Sequence, residues 1–295
     1  MPKTQRWQWY VEEFSPSEQH HHALDEIYYS GRSQHQQIAV LRSPVFGKML
    51  VIDGDTQSAQ ADERIYHEAL VHPSLAGAGD RRNVLILGGG EGATLREVLR
   101  APDVERCTMV DIDATVVELS KKYLPEWADG AFENARARVV IGDALDFMQA
   151  DASSYGVIIS DLTEPLEDSP SHPLFNERVF ALIKARLAEG GIYVLQASTG
   201  AAVNASLHCK MSRTLRRHYA HVVSFVTHVP AFDTEWAFLA CSDRVNLDAL
   251  ESGRIERYCE ALSGASFFYD AVTHRRLFAL PLYLRRMLAA SGDTF

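Results

Sequence analysis

Asn83-Val-Leu-Ile-Leu-Gly88-Gly-Gly-Glu91-Gly-Ala-Thr94-Leu-Arg-Glu-Val-Leu99 is the stretch that decides the fold. The four apolar residues at 84–87 read as a buried strand, the glycines as a tight turn, and 94–100 as a helix. Together they make the first strand–turn–helix unit of a nucleotide-binding α/β sheet. A carboxylate, Glu91, sits inside the turn. The N–H groups of such a turn and the helix dipole behind it attract anions, so an acid there suits a cation better than a phosphate.

Downstream, strands and helices alternate. Apolar runs at 107–111, 139–141, 156–160 and 192–195 read as strands, and helical spacing covers 117–123 and 179–187, with Gly190-Gly191 breaking the second helix. Alternation of this kind needs crossover connections and predicts a parallel, doubly wound sheet. Upstream, 36–42 and 48–53 read as strands joined through Ser43-Pro44 and Phe46-Gly47, and Asp53-Gly54 turns the chain toward 56–58. Helical spacing returns over 62–75, and Ala76-Gly-Ala-Gly-Asp80 is the boundary signal. The expected organisation is a small β-rich N-terminal domain over 1–75 and an α/β domain over 76–295. A helical stretch at 271–287, interrupted by Pro281, closes the chain.

Among the 295 residues the net charge is −10, which argues against nucleic acid and suits a cationic small molecule. With no bilayer-length apolar run and no apolar signal region near the N-terminus, neither membrane insertion nor secretion is expected, and a cytoplasmic location is. Cys107, Cys209, Cys241 and Cys259 lack a CxxC spacing and read as reduced thiols. Three adjacent histidines, His20 to His22, cannot all face one ion from a regular element, so the run reads as a solvated, mobile segment and no metal is expected. Trp7, Trp9 and Tyr10 read as packing or an oligomer contact.

Ligands of doubly wound sheets bind at the carboxyl ends of the strands. Four successive apolar runs end in acid: Glu91 in the glycine turn, Asp111 followed by Asp113, Asp143 within Gly142-Asp-Ala144, and Asp161 within Ser160-Asp-Leu-Thr-Glu164-Pro165. Asp113 reads as a helix N-cap, while Asp111, 23 residues past Gly88, has the spacing of a carboxylate that holds ribose hydroxyls. Asp143 fits a turn or a ligand role equally. Asp161, alone between an apolar strand and a Pro-containing loop, is the catalytic candidate.

The turn lacks both the full GxGxxG spacing and a Gly-Lys-Ser/Thr, which disfavours a dinucleotide-dependent dehydrogenase and a phosphate loop. Its combination with an acidic second strand and Gly-Asp-Ala on the third resembles the S-adenosylmethionine-binding sheet of class I methyltransferases. Glu91 then bears on the donor. Two like charges about 4 Å apart at an effective dielectric of about 20 repel by about 4 kcal/mol. Glu91 would repel the carboxylate of S-adenosylmethionine and attract the aminopropyl ammonium that remains once that carboxylate is lost.

Across almost its whole length the chain resembles the polyamine aminopropyltransferases, the spermidine, spermine and thermospermine synthase family. The matching residues are Gly47-Lys-Met-Leu-Val-Ile-Asp-Gly54 with Gln57, Asp62-Glu63, Tyr66-His67-Glu68 and His72-Pro73. The match continues through Gly88 to Glu97, Asp111-Ile-Asp113, Gly142 to Ala144, 161–165, Tyr269 to His274 and Phe278 to Pro281. The resemblance implies a small β-domain on a Rossmann-like, methyltransferase-type domain, in homodimers or homotetramers. It implies transfer of a 3-aminopropyl group from decarboxylated S-adenosylmethionine, as co-substrate, to a polyamine, releasing methylthioadenosine, with no prosthetic group. By position, Gln36, Gly88, Gly90, Glu91, Asp111, Asp143 and Ala144 would hold the donor, with Gln57 at the join of the two substrates. Tyr66, His67, Asp161, Glu164, Gln196 and Phe232 would line the acceptor side, with Asp161 and Tyr66 catalytic.

The residues match that chemistry. An acceptor ammonium has no lone pair, so Asp161 would take or orient its proton, helped by Tyr66. A neutral thioether leaves without an acid. The loop at 162–173, with Glu164, Glu167 and Asp168, is expected to close over both substrates. Three departures from spermidine synthases are Asp161-Leu-Thr-Glu164-Pro165, Glu91 in place of Asp, and Phe232 in place of Tyr. The second and third resemble thermospermine synthases, which favours spermidine over putrescine as acceptor. The alternatives are a methyltransferase using the intact donor and a non-catalytic polyamine-binding protein.

Overall fold

A computed structural model describes residues 7–15, 17–165 and 169–295. The chain opens with an antiparallel pair, β1 (Gln8–Ser15) and β2 (Glu18–Leu24), in which Trp9 faces Ala23 and Val11 faces His21. A four-stranded antiparallel meander follows in sequence order: β3 (Glu26–Arg32), β4 (Gln37–Ser43), β5 (Gly47–Ile52) and β6 (Asp55–Ala59). The histidine run therefore lies in β2, not in a mobile segment. Strand alternation buries His22 and exposes His21, while His20 stacks on Phe14 with ring centroids 5.0 Å apart.

The large sheet contains β7 (Asn83–Gly88), β8 (Arg106–Asp111), β9 (Ala137–Ile141), β10 (Tyr155–Asp161), β11 (Leu187–Thr199), β12 (His221–Val229) and β13 (Thr234–Ser242). Its order is β12-β13-β11-β10-β7-β8-β9. Five strands, from β9 to β11, run parallel, whereas β13 and β12 are antiparallel additions, so the sheet is mixed at one edge. The alternation of strands and helices did not announce that hairpin, because an antiparallel pair needs no crossover helix. Gly190-Gly191 also has a different role from the one expected. Strand β11 starts at Leu187 and pairs with Tyr155, and the glycines sit in a register shift before Ile192 pairs with Val157.

Ten helices accompany the strands among the described residues: α1 (Glu63–Gly77), α2 (Ala93–Leu99), α3 (Ala114–Tyr123), α4 (Pro125–Ala128), α5 (Ala144–Ala150), α6 (Glu177–Arg186), α7 (Ser206–Leu215), α8 (Ser252–Ala261), α9 (Ala271–Phe278) and α10 (Leu282–Ala289). Period-two alternation along the buried strands feeds two cores. From β7, Val84 and Ile86 pack with Leu70, Leu95, Ile255 and Leu277 on one face. Leu85 and Leu87 pack with Met148, Phe180 and Met211 on the other. Helix α1 packs chiefly on α2 and β11. The small sheet meets the large unit through a third cluster, in which Ile38, Val40, Leu50 and Ile52 cover Val116, Leu119 and Trp127. No helix among the described residues is long and apolar enough to cross a membrane.

Candidate active site

The strand order reverses between β7 and β10, the topological switch point at which such sheets bind ligands. There Asp161 lies in register with Gly88, and Gly89 N donates to Asp161 O at 3.0 Å. Gly88 has φ +82, and a Cβ on it would stand 2.2 Å from that same carbonyl oxygen. A Cβ on Gly90 would stand 2.7 Å from Asp111 Oδ2. The bare turn thus lets two acidic strand ends close around one point.

A cavity of about 670 Å³ opens over this point. It is lined by Gln36, Gln57, Tyr66, Gly88, Gly90, Glu91, Asp111, Asp143, Ala144, Asp161, Glu164, Gln196 and Phe232. Of the residues expected at the site, only His67 is missing from its walls. Nine carboxylates line it, from Glu12, Glu13, Asp53, Asp55, Glu91, Asp111, Asp143, Asp161 and Glu164, against a single Arg or Lys among the described residues, Arg32. Glu167 and Asp168 lie outside the described residues.

Each expected residue has a definite setting. Asp161 accepts from Tyr66 OH at 2.8 Å on Oδ1 and from Thr94 Oγ1 at 2.6 Å on Oδ2. Burial and the Asp161 charge raise the Tyr66 phenol well above its ordinary range, so it remains a donor. Burial pushes Asp111 up to about 6 although Asp113 N donates to it at 2.8 Å. Asp113 caps α3 as expected, accepting from Thr115 N, and its other oxygen accepts from Ser33 and from Gln36 Nε2. That contact ties the small sheet to the rim of the cavity. Asp143 caps α5 through Oδ1 while lining the cavity.

On the other side, Gln196 donates from Nε2 to Leu162 O at 2.7 Å and accepts from Ser198 N at 3.0 Å, which pins the segment carrying Glu164 to β11. Burial raises the Glu164 carboxyl despite a hydrogen bond from Ser198, a residue held at φ +65. Phe232 stands edge-on to Trp236 and Tyr66, at 4.9 and 6.0 Å, forming an apolar wall beside the carboxylates. Asp55, the first residue of β6, is pushed up to about 6 by burial and then by Glu12, Glu164 and Asp53.

Glu91 does not simply project into space. Its Oε2 accepts from Ser58 Oγ at 2.6 Å, and its Oε1 lies 2.6 Å from His67 Nε2. His67 is only 1% exposed and lies behind Glu91, away from the cavity lining. His67, expected on the acceptor side, places its two ring nitrogens against Glu63 and Glu91. The sequence reading missed Thr94, Ser58, Ser198, Trp236 and the acids Glu12, Glu13, Asp53 and Asp55. Thr94 alone carried a signal, a hydroxyl in the first turn of the helix beneath a strand-end acid. The others come from segments that the chain brings in from far away.

Residues 63–249 match the family model described as "Spermine/spermidine synthase domain", and 8–60 match "Spermidine synthase tetramerisation domain". A polyamine aminopropyltransferase of Sulfolobus acidocaldarius is 41% identical over 96% of this chain and 93% of its own, and one of Aeropyrum pernix is 40% identical over 96% and 91%. Among solved structures, a spermidine synthase in complex with the transition state analogue AdoDATO superposes with a TM-score of 0.89, covering 96% of both chains at 24% identity. That of Thermotoga maritima spermidine synthase gives 0.87, covering 96% and 95% at 24% identity. The chain belongs to the spermine/spermidine synthase family and is a polyamine aminopropyltransferase.

Proposed function

We propose that this enzyme transfers the 3-aminopropyl group of decarboxylated S-adenosylmethionine to a polyamine, with spermidine preferred over putrescine, and releases methylthioadenosine. The observation that carries the reading is the excess of nine lining carboxylates over one Arg, centred on an Asp161 already bonded to two hydroxyls. Both substrates are cations, and the lining acids outnumber the protein's own cations around them.

Asp161 accepts a proton from the acceptor ammonium, and Tyr66 keeps its carboxylate oriented. The freed nitrogen lone pair attacks the methylene next to sulfonium, the C–S bond breaks, and its electron pair returns to sulfur. The thioether leaves neutral, so no acid is needed, and placement of nucleophile and carbon in line supplies most of the acceleration. Gln36, Gln57, Gly88, Gly90, Glu91, Asp111, Asp143 and Ala144 are assigned to the donor. Glu164, Gln196 and Phe232 are assigned to the acceptor with Tyr66 and Asp161. Glu91 still disfavours a donor carboxylate: its partner His67 lies behind it, so the pair presents its negative end to the cavity.

Two features favour the longer acceptor. Glu12, Asp53 and Asp55 extend the acidic lining onto β1, the β5–β6 turn and the start of β6, offering counter-charge for a further ammonium. Phe232 provides apolar wall where a tyrosine hydroxyl would bind a polar end. The match of 8–60 to a tetramerisation domain, with Trp9 53% exposed on β1, supports assembly as a homodimer or homotetramer.

The test is product identification by mass spectrometry after incubation with decarboxylated S-adenosylmethionine and, separately, putrescine, cadaverine, spermidine and shorter triamines. Spermidine is expected to give the highest kcat/KM and a tetraamine product, spermine or thermospermine. Faster turnover of putrescine overturns the acceptor assignment, and absence of methylthioadenosine with every amine overturns the reaction.

A further inference from the structure

We propose that Asp62 is a positioning residue for acceptor binding: its carboxylate holds the turn that carries Phe232 against α1 and does not itself touch substrate. The inference rests on the acceptor wall assigned above and concerns what keeps that wall in place.

Asp62 stands at the N-cap of α1, where an aspartate ordinarily accepts from the free N–H groups of its own first turn. Here it makes no such bond. Its Oδ2 instead accepts from Ala231 N at 2.6 Å, across 169 positions of the chain. The residue is 3% exposed and is not among those lining the cavity, and its Oδ1 has no hydrogen-bond partner among the described residues. Giving up the cap and burying an unpartnered oxygen both cost stability, and the bond to Ala231 is what the arrangement gains.

The turn that Asp62 reaches is weakly held by its own chain. Strands β12 and β13 pair as far as Val229 and Thr234, and 230–233 close through Asp233 N to Pro230 O at 3.1 Å. Pro230 has no N–H, and Asp233 takes φ +49, a conformation that costs a non-glycine residue energy. The buried Ala231 N–H needs an acceptor, and Asp62 supplies it.

Two contacts then fix the turn to one face of α1. Asp62 takes Ala231 N, and one helical turn further on Tyr66 packs on the Phe232 ring, with centroids 6.0 Å apart. Tyr66 also donates to Asp161 at 2.8 Å, so α1 sets where the apolar wall stands relative to the catalytic carboxylate. Trp236 meets the same ring at 4.9 Å, but it belongs to the hairpin and cannot anchor it to α1. Burial pushes the Asp62 carboxyl up to about 6, and Glu63 adds to this while Ala231 N–H, His228 and His67 oppose it. At pH 8 the group is therefore ionised, and its bond to Ala231 is charge-assisted.

Asp62→Ser and Asp62→Asn separate this role from a purely structural one. Serine caps a helix as well as aspartate does but is one bond shorter, so it can serve the first turn of α1 while releasing Ala231. Asparagine keeps an oxygen for Ala231 N and loses the charge. Initial rates are measured at pH 8 with decarboxylated S-adenosylmethionine and with spermidine and putrescine in turn. Asp62→Ser is expected to raise the acceptor KM about five- to tenfold and to leave the donor KM within about twofold. Asp62→Asn is expected to raise the acceptor KM about twofold, the loss of charge assistance alone. In a Phe232→Ala background Asp62→Ser is expected to add less than about twofold, because the ring it positions is gone.

An unchanged acceptor KM in Asp62→Ser overturns the proposal. So does a rise shared equally with the donor KM, a loss of folded protein in thermal unfolding, or an undiminished effect in the Phe232→Ala background, each of which marks Asp62 as merely structural. The comparison is read on whichever amine turns over, so a preference for putrescine removes the acceptor assignment and leaves this test standing. No turnover of either amine by the unsubstituted enzyme removes the reaction and this role with it.

Discussion

Two sets of buried carboxylates meet at Glu91 and behave oppositely. On the α1–α2 side, Glu63 and Glu97 are surrounded by His67, His72, Arg96 and Arg100. Burial pushes both carboxyls up, but the cations outweigh it and hold them below the ordinary carboxylate range. Glu68 there takes three backbone N–H groups, from Phe267, Phe268 and Tyr269, each at 2.8 Å. On the cavity side, Asp55 and Asp111 are pushed up to about 6, and Glu164 is raised as well. Both sets are acidic, the first fully buried and the second half-buried at the cavity wall. The difference lies in who supplies the cation: the fold does so in the first set, and the proposed function gives that part to the substrate in the second.

Removing a cation from the paired side should have the largest effect on stability. Arg96→Met leaves Glu63 and Glu97 buried beside the vacancy, and a loss of about 3–5 kcal/mol is expected in urea unfolding. The depressed carboxyls contribute stability that is present above their unfolded pKa and lost as pH falls through the folded one. With Arg96 gone their pKa values rise, so acid unfolding should move to higher pH. A loss below about 1 kcal/mol would mean that the pairing is not what distinguishes the two sides.

On the cavity side the damage should appear in activity. Asp161→Asn is expected to lower kcat by about 10²–10⁴-fold while the melting temperature holds or rises, measured by methylthioadenosine release and thermal unfolding. Unchanged turnover would place the base elsewhere. Asp55 and Asp111 become neutral as pH falls below about 6, so attraction for cationic substrates weakens toward acid and their KM values rise. Asp55→Asn should raise the spermidine KM several-fold at pH 8 and flatten its rise below pH 6, with the donor KM little changed. The smallest expected effect belongs to Phe232→Tyr. One added hydroxyl is worth about 0.5–1.5 kcal/mol and should shift the ratio of kcat/KM for putrescine over spermidine upward by that amount.

The legible part of the site was the part carried by the large sheet. Glu91, Asp111, Asp143 and Asp161 each follow an apolar run, and a parallel strand that ends in acid must deliver that acid to the same rim as its neighbours. Gln36, Gln57, Gln196 and Phe232 came through resemblance, and the structure brings all of them to one cavity. The β12–β13 hairpin escaped because antiparallel neighbours leave no alternation to read. The position of His67, one residue after Tyr66, says nothing about which side of a buried helix it faces. Tyr66 turns to Asp161, whereas His67 turns to Glu91.

The amino-acid order by itself determined the strand–turn–helix frame and the rim on which four acids stand, because backbone periodicity and glycine geometry are local properties. Only the tertiary structure decided which carboxylates are already paired. Pairing depends on distances of about 3 Å between residues such as His67 and Glu91, 24 positions apart, or Arg96 and Glu63, 33 apart, and packing sets those distances. Glu91 is an acid in a glycine turn in either description. The fold adds that its two oxygens are gripped from behind, leaving the negative end of an ion pair facing the cavity.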